Sequence, residues 1–276
     1  MGDDSEAKPI ARRRWRICGL LGLGAFVNYI DRVNLSIAAP LLARDFNLSP
    51  GRLGILFSVF LWTYAALQIP IGSIVDYVGI KWVLRVSTIL WTIATLLNAF
   101  AGGLGLIVLA RLLLGIAETP MMPAAWKATG YWFPQNERGM STTIVDGSAR
   151  LSNVLGIPVM AFVAGLYGWR AAFLVTAAAS LFYVIVFWMF YRNPREAVAE
   201  SRLSGEEYRY MIAGGAERET YHVESRSANC TVKYLLGRRK TWGLSIGYAS
   251  YTYAYYLLLT WLPGVLIAGD GVQHSL

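Results

Sequence analysis

Four charged residues stand inside long apolar segments of the sequence, where an ionised side chain is costly. Asp31 and Arg32 interrupt the stretch "FVNYIDRVNLSIAAP", and Arg111 and Glu118 lie in a later apolar run. On membrane-insertion scales, an ionised side chain at a helix centre costs about 2.5–3.5 kcal/mol. We therefore expect all four residues to face a protein interior or a wet cavity and to form ion pairs.

The chemical types of these residues indicate anion binding combined with proton exchange. An arginine guanidinium presents a planar fork of donors that matches a carboxylate. Burial disfavours the charged form of a carboxylic acid and a nearby arginine favours it, so Asp31 and Glu118 are placed to gain and lose protons. The alternative, that the charges only hold helices together, stays open for Arg111, which we assign a structural or gating role.

Further polar residues fall on helical faces close to these charges. Tyr29 and Arg32 are three residues apart, and Tyr64 and Gln68 are four apart, so each pair lies on one side of a helix. Arg150 adds a cation to a later apolar segment. Polar pairs such as Tyr64 and Gln68 also occur for packing alone. We predict a substrate-binding set made of Tyr29, Arg32, Tyr64, Gln68 and Arg150.

The segment "GSIVDYVGIKW" is a separate motif between two apolar runs. Gly72 and Gly79 flank Asp76, and Lys81 follows. Glycines permit a tight turn, and Asp76 could cap a helix or pair with a base across a helix bundle. We assign these four residues a structural or gating role; the alternative is an ordinary charged loop.

The elements that position these residues are predicted to be membrane-spanning helices. Of 276 residues, 55% are hydrophobic, and the mean hydropathy is +0.43. A spanning helix needs about 20 apolar residues, and seven segments approach or exceed that length: 17–42, 53–75, 83–101, 105–123, 140–166, 171–191 and 241–268. We predict an all-α polytopic membrane protein with a tail at 1–16, a six-helix bundle at 17–191, a linker at 192–240, a seventh helix at 241–268 and a polar tail at 269–276.

The distribution of basic residues predicts the orientation in the membrane. With a cytoplasmic N-terminus, 19 of the 25 Lys and Arg residues fall in cytoplasmic segments, including 1–16 and 192–240, and three fall in outer loops. Basic residues are enriched in cytoplasmic loops, which also explains the net charge of +8 without a nucleic-acid partner. Because the predicted helices span a membrane, we expect the lipid bilayer as a partner. The sequence shows no metal-ligand cluster and no cofactor motif, so we expect no metal, no cofactor and no enzyme activity.

A weak internal repeat relates the first three helices to the next three. The connection "GSIVDYVGIKWVLRV" resembles "AFVAGLYGWRAAFLV" in its glycines and its aromatic-plus-basic pair. The two connections lie on opposite sides of the predicted membrane. Two inverted three-helix repeats of this kind build the six-helix halves of one large transporter class.

Several motifs resemble one known family. "GSIVDYVGIKW" is similar to the helix two–three signature of the major facilitator superfamily, except at Trp82, where that family usually has a basic residue. "RLLLGIAE" resembles its helix-four motif. "NYIDRVNLSIAAP", "QIPIGSIVD", "WFPQNERG" and "YRNPRE" resemble the anion:cation symporter family, which includes galactonate, glucarate and hexuronate permeases. The resemblance covers nearly all of residues 12–263.

This resemblance implies proton-coupled symport of an organic anion, such as a hexonate, aldarate or hexuronate, by alternating access in the bacterial inner membrane. In sugar-acid permeases the residues matching Tyr29, Arg32 and Tyr64 contact substrate. Those matching Asp31 and Glu118 carry protons. Arg150 stands where such permeases often have glutamine, which favours a more acidic or differently shaped anion.

The sequence ends after the seventh predicted helix, whereas the family has twelve. We therefore expect a product that lacks helices eight to twelve. The alternative function is a non-transporting truncated remnant or an assembly partner in the membrane.

Overall fold

The computed structural model of the chain describes residues 12–219 and 234–273. The predicted tails at 1–16 and 269–276 and the linker at 192–240 therefore lie partly outside the described residues. The chain divides into two units, one up to residue 222 and one from residue 223 onward. The site described below belongs entirely to the first unit.

Most of the described residues are helical, and none of them forms a strand. The first unit contains α1 (Arg13–Asp45), α2 (Pro50–Val78), α3 (Ile80–Ala99), α4 (Leu104–Glu118), α5 (Met121–Trp132), α6 (Gln135–Tyr167), α7 (Trp169–Phe190), α8 (Pro194–Ala199) and α9 (Gly205–Ala213). The second unit contains α10 (Arg239–Gln273). Six of the seven predicted spans lie on helices of the first unit: five lie on α1, α2, α3, α6 and α7, and the fourth lies on α4 and α5 together. No predicted span extends more than two residues beyond its helix.

Five segments of the described chain are long and apolar enough to cross a membrane: Pro50–Val78, Ile80–Ala99, Leu104–Trp132, Gln135–Tyr167 and Trp169–Phe190. The helix α1 is not among them because Asn28, Asp31, Arg32 and Asn34 lower its hydropathy. These polar residues are accommodated inside the bundle, where Asn28 and Asn34 are fully buried. The fold is that of an all-α polytopic membrane protein.

The predicted end of the fourth span at residue 123 is too early. Only Thr119 and Pro120 separate α4 from α5, and the helix then continues to Trp132. Proline is tolerated at the start of a helix because the first amides have no intrahelical acceptor. Pro120 therefore marks a junction between two helices and Pro123 lies in the first turn of α5, so neither ends the segment.

The helices that pack most extensively are α1 with α6, α3 with α7, α3 with α4, α2 with α4, and α1 with α7. If α1, α2 and α3 correspond to α4, α6 and α7, exchanging the two triplets turns the α1–α6 pair into the α4–α2 pair and the α3–α4 pair into the α7–α1 pair. The α3–α7 pair returns to itself. This pairing pattern agrees with the predicted three-helix repeat. Close packing of α2 on α4 depends on Gly115, because a Cβ atom there would collide with the Thr63 hydroxyl and the Phe60 carbonyl.

The segment after α7 forms two short helices that dock on one end of the bundle, whereas the sequence suggested only a polar linker. Arg14, at the start of α1, pairs with Glu137 at 2.7 Å and with Glu207 of α9 at 3.1 Å. Glu207 is fully buried. Lys81, at the start of α3, pairs with Glu196 of α8 at 2.8 Å.

Candidate functional site

Arg32 and Glu118 form an ion pair in the middle of the bundle. The Nε atom of Arg32, on α1, donates to Oε2 of Glu118, on α4, at 2.9 Å. Nη2 of Arg32 also donates to Oδ1 of Asn28, one turn earlier on α1, at 3.1 Å. The side chain of Arg32 is 10% exposed and that of Glu118 is 0% exposed. The pair is therefore shielded from solvent, which strengthens its attraction.

Three aromatic rings surround the Arg32 guanidinium. Its Cζ atom lies 4.5 Å from the ring centre of Tyr29, 4.4 Å from that of Tyr64 and 5.3 Å from that of Phe60. The rings of Phe60 and Tyr64 stack on each other with centroids 5.6 Å apart. Aromatic faces attract cations, so these rings hold the guanidinium in place while its fork of donors remains directed at acceptors such as Glu118.

Asp31 contacts a different set of residues, because consecutive helical residues point about 100° apart. Its Oδ1 accepts a hydrogen bond from the Thr95 hydroxyl at 2.9 Å, and its Oδ2 accepts one from the Ser180 hydroxyl at 3.4 Å. Asp31 is 1% exposed. Thr95 Oγ1 also lies 3.0 Å from the Trp91 carbonyl oxygen. The Thr95 hydroxyl therefore has two possible acceptors for its single proton.

Arg111 completes a buried group of two acids and two bases. It is 2% exposed, and its guanidinium lies 5.9 Å from the ring centre of Phe173. It interacts electrostatically with both Asp31 and Glu118. Among the described residues, Nε and Nη2 of Arg111 and Oε1 of Glu118 have no hydrogen-bond partner. When all four groups are ionised, the cluster is neutral, which is the cheapest charged arrangement in a low-dielectric interior.

The other two predicted substrate-binding residues are less enclosed. Gln68 lies one turn after Tyr64 on α2 and is half-buried, and Arg150 lies on α6 with an exposed side chain. Arg150 is thus placed outside the buried group that contains Arg32 and Glu118. The substrate-binding roles of Gln68 and Arg150 stay predictions.

The turn between α2 and α3 is made by Gly79, which has a φ of 88°. Gly72 lies inside α2, as the predicted span 53–75 requires, with open space around it. Asp76 pairs with Lys127 of α5 at 2.5 Å, and Lys127 also donates to the Val75 carbonyl at 3.2 Å. Lys81 pairs with Glu196 instead of Asp76. The gating roles of these residues stay predictions.

Several residues of the site were not expected from the sequence. Asn28 and Phe60 each stand four residues before a predicted site residue, Arg32 and Tyr64, so helical spacing could have found them. Thr95 and Ser180 give no such signal. Hydroxyl residues within helices commonly bond to their own backbone, and nothing in the sequence directs these two toward Asp31.

Comparison with known proteins shows that the chain belongs to the Major Facilitator Superfamily, which it matches over residues 21–274. It is 39% identical over 91% of its length to the uncharacterized transporter YybO of Bacillus subtilis strain 168. It is 35% identical over 94% to the probable sulfoacetate transporter SauU of Cupriavidus necator and 31% identical over 90% to the probable L-galactonate transporter of Escherichia coli strain K12. The predicted family resemblance is thereby confirmed.

The chain spans about half the length of these curated relatives: 56%, 59% and 53% respectively. Among solved structures, it matches a bacterial homologue of the human lysosomal transporter Spinster with a TM-score of 0.69 and 19% sequence identity. That match covers 94% of this chain and 56% of the other, and it establishes the shared fold. The family and these relatives are transporters, so the prediction that the chain is not an enzyme is confirmed.

Proposed function

We propose that the chain forms the anion-binding wall of a secondary transporter that moves a small organic anion together with protons. The observation that carries the proposal is the Arg32 guanidinium, held under Tyr29 and Tyr64 and paired with Glu118 at 2.9 Å. Two relatives are named for the transport of anions, sulfoacetate and L-galactonate. Both anions carry an acidic group that a guanidinium recognises.

Substrate binding then proceeds by exchange of carboxylates on Arg32. An incoming acidic group competes with Glu118 for the guanidinium, while the flanking rings of Tyr29 and Tyr64 keep Arg32 oriented. The acidic group replaces one charge-assisted hydrogen bond with another, so the buried cation is never left unpaired. This exchange predicts that binding needs an anion and not merely a polar solute.

Proton coupling follows from the charge balance of the buried group. Asp31, Glu118, Arg32 and Arg111 together are neutral, so an added anion leaves one uncompensated negative charge in a low-dielectric site. Such a charge is strongly disfavoured unless a proton accompanies it. Protonation of Glu118 neutralises it and frees Arg32 for the substrate, and Asp31 provides a second proton site.

The substrate is a small anion, and two classes are candidates. One is a short, doubly charged anion such as sulfoacetate, and the other is a sugar acid such as L-galactonate. We propose that the exposed Arg150 side chain on α6 contacts the substrate from outside the buried group, which favours a substrate with two negative groups. We therefore place sulfoacetate ahead of sugar acids in the first binding measurement.

Alternating access requires ion pairs at one end of the bundle that break when that end opens. Asp76 with Lys127 and Lys81 with Glu196 connect α2 to α5 and α3 to α8. We assign these pairs to the cytoplasmic side of the bacterial inner membrane, with a cytoplasmic N-terminus. Both pairs are partly exposed, so each can break at modest cost.

The test is a direct binding measurement with the purified chain in lipid nanodiscs. We expect radiolabelled sulfoacetate to bind, and Arg32→Gln to weaken its binding by at least tenfold, since it removes charge-assisted hydrogen bonds. Arg44→Gln, at the exposed far end of the same helix, is the matched control and should bind normally. L-galactonate competition ranks the two substrate classes. Equal competition by neutral galactose would overturn the proposal.

Transport itself is measured separately in proteoliposomes. An inward proton gradient should drive anion uptake, and both Asp31→Asn and Glu118→Gln should abolish the gradient-driven component while leaving anion exchange across the membrane measurable. If the chain binds anions but does not transport them, the binding site stands and the transport step is refuted for this chain.

A further inference from the structure

A groove between α1 and α7 opens near the start of α1, away from the buried charge cluster. Its volume is about 370 Å³, and its lining includes Arg13, Arg16, Gly19, Leu20, Val186 and Phe190. Arg13 and Arg16 belong to the first turns of α1 and Phe190 is the last residue of α7, whereas Gly19, Leu20 and Val186 lie further along these two helices. The groove therefore combines a charged entrance with an apolar wall.

The position of the groove relative to the predicted membrane follows from helix geometry. Arg16 directly precedes the predicted span at 17–42, and Leu23 is another groove-lining residue. At 1.5 Å per residue, Leu23 lies about 10 Å further along the helix axis than Arg16. The arginines are thus at headgroup level, and the apolar part of the groove reaches into the acyl-chain region.

Positive charge accumulates at the mouth of the groove. Burial and the neighbouring guanidinium groups of Arg202 and Arg16 lower the pKa of Arg13 from its usual range. Arg192 and Arg202 share a single acid, Glu200, at 3.0 Å each. Arg16 is exposed and forms no ion pair within the described part of the chain. Glu207 also lies near Arg13, but its carboxylate is paired with Arg14 at 3.1 Å. The mouth therefore keeps a net positive charge that an anion would compensate.

One donor at the groove is also unsatisfied. The Arg13 guanidinium donates to the Arg202 carbonyl at 2.7 Å through Nη1. Its Nε atom is buried without a hydrogen-bond partner among the described residues. A buried donor without an acceptor is unfavourable, so rotation of the Arg13 side chain toward a phosphate oxygen in the groove would satisfy this nitrogen.

We propose that this groove binds an anionic phospholipid, with its phosphate on Arg13 and Arg16 and an acyl chain along Gly19, Leu20, Val186 and Phe190. Basic pockets between membrane helices are known to select anionic headgroups. A free phosphate would use only the arginines and leave the apolar wall uncovered, so the groove as a whole fits a lipid. Gly19 leaves room for the chain, because nothing lies within 4 Å of the position that a Cβ atom would occupy.

Native mass spectrometry of the purified chain tests the proposal, with phosphatidylglycerol and phosphatidylcholine added in equal amounts in phosphate-free detergent. We expect retention of phosphatidylglycerol over phosphatidylcholine. Arg16→Gln should lower that retention about fivefold, which corresponds to the loss of one basic residue near anionic lipid. Arg12→Gln removes the same charge from the same end of the chain without lining the groove, and it should retain lipid like the unchanged chain.

Two further measurements test whether the groove binds the acyl chain of the lipid as well as its headgroup. Gly19→Leu keeps both arginines and fills the apolar part of the groove, so it should lower phosphatidylglycerol retention at least as much as Arg16→Gln. Water-soluble glycerol 3-phosphate in excess should not displace the lipid. Equal retention of the two lipids, normal retention by Gly19→Leu, or displacement by glycerol 3-phosphate would each overturn the proposal.

Discussion

At the scale of single residues, Asp31 and Arg32 are adjacent in sequence but serve different surroundings. Arg32 is enclosed by aromatic rings and paired with Glu118, whereas Asp31 is bonded to hydroxyl groups of α3 and α7. This arrangement separates a group suited to recognise an anion from a group suited to hold a proton. Because both belong to one turn of α1, a movement of that turn changes both environments together.

The exchange of carboxylates on Arg32 predicts a specific effect of Glu118→Gln. Glutamine keeps the size of the side chain but carries no charge, so it no longer competes with the substrate or responds to pH. We expect anion binding at pH 8 to become about tenfold tighter than in the unchanged chain, with little difference between pH 6 and pH 8. Sulfoacetate binding at the two pH values measures this.

The control for that measurement is Glu206→Gln, which removes an exposed acid on α9 and should leave the pH dependence intact. A Glu118→Gln chain whose binding still weakens as the pH rises would show that another group competes for Arg32.

Thr95 is placed to bond Asp31 in either protonation state. When Asp31 is ionised, the Thr95 hydroxyl donates to it at 2.9 Å; when Asp31 is protonated, Asp31 donates and the hydroxyl turns to the Trp91 carbonyl at 3.0 Å. Thr95→Val keeps the shape and removes this exchange. We expect gradient-driven uptake to fall about tenfold, since a hydrogen bond to a charged group contributes about 1.5–3 kcal/mol, while anion exchange is retained.

Thr95→Ser restores the hydroxyl and should restore gradient-driven uptake. A purely structural role for Thr95 predicts instead that uptake and exchange fall together in Thr95→Val, and that result would contradict the assignment.

The sequence predicted the charged members of the site because ionised groups in apolar helices need an explanation. It also predicted the stripe that contains Tyr29 and Arg32, since helical spacing places them on one face. It did not predict Thr95 and Ser180, because a hydroxyl in a helix gives no sign of whether its acceptor is local or distant. Which of Asp31 and Arg32 faces Glu118 depends on helix rotation, which packing determines.

At the scale of helices, the bundle depends on small residues where two helices approach closely. Gly115 and Gly105 both lie on α4, but only Gly115 faces the Thr63 hydroxyl and the Phe60 carbonyl of α2. A small residue between Arg111 and Glu118 permits close approach of a neighbouring helix. Identifying α2 as that neighbour requires the packed structure.

These two glycines provide a matched pair of substitutions. Gly115→Ala places a methyl group against a backbone carbonyl that cannot move freely, so we expect destabilisation of about 1–3 kcal/mol. Gly105→Ala adds the same methyl group in open space and improves helix propensity, so its stability should be unchanged or slightly higher. Thermal unfolding in detergent measures both, and equal midpoints would contradict a close contact between α2 and α4.

At the scale of the whole bundle, α1 is capped by a residue far away in the sequence. The amides of Arg13 and Arg14 donate to Glu207 at 3.3 and 3.1 Å, and the Arg14 guanidinium donates to it at 3.1 Å. Arg12, the residue before α1, provides no side-chain cap. A carboxylate at a helix N-terminus satisfies free amides and interacts favourably with the helix dipole. A contact across 193 residues leaves no local pattern, so the sequence could not predict it.

This cap predicts that Glu207 contributes substantially to holding the segment with α8 and α9 on the bundle, beside contacts such as the 2.8 Å hydrogen bond from Arg138 to the Gly215 carbonyl. Glu207→Ala removes three hydrogen bonds from a fully buried site, while Arg14 keeps its ion pair with Glu137. We expect a loss of about 2–3 kcal/mol of stability and faster trypsin cleavage after Arg202 and Arg209, because release of α9 exposes its backbone. Glu206→Ala is the control.

Glu206 neighbours Glu207 in the first turn of α9, but its side chain is exposed. The two variants therefore lose the same charge from the same helix and keep the same trypsin sites, so a difference in cleavage rate reports the buried contacts of Glu207 alone. If Glu206→Ala is cleaved as fast as Glu207→Ala, the charge of α9, and not its cap on α1, holds this segment in place. A slow rate in Glu207→Ala would instead assign that role to the remaining contacts, among them the 2.8 Å ion pair of Lys81 with Glu196 and the 2.9 Å hydrogen bond from Tyr210 to Glu137.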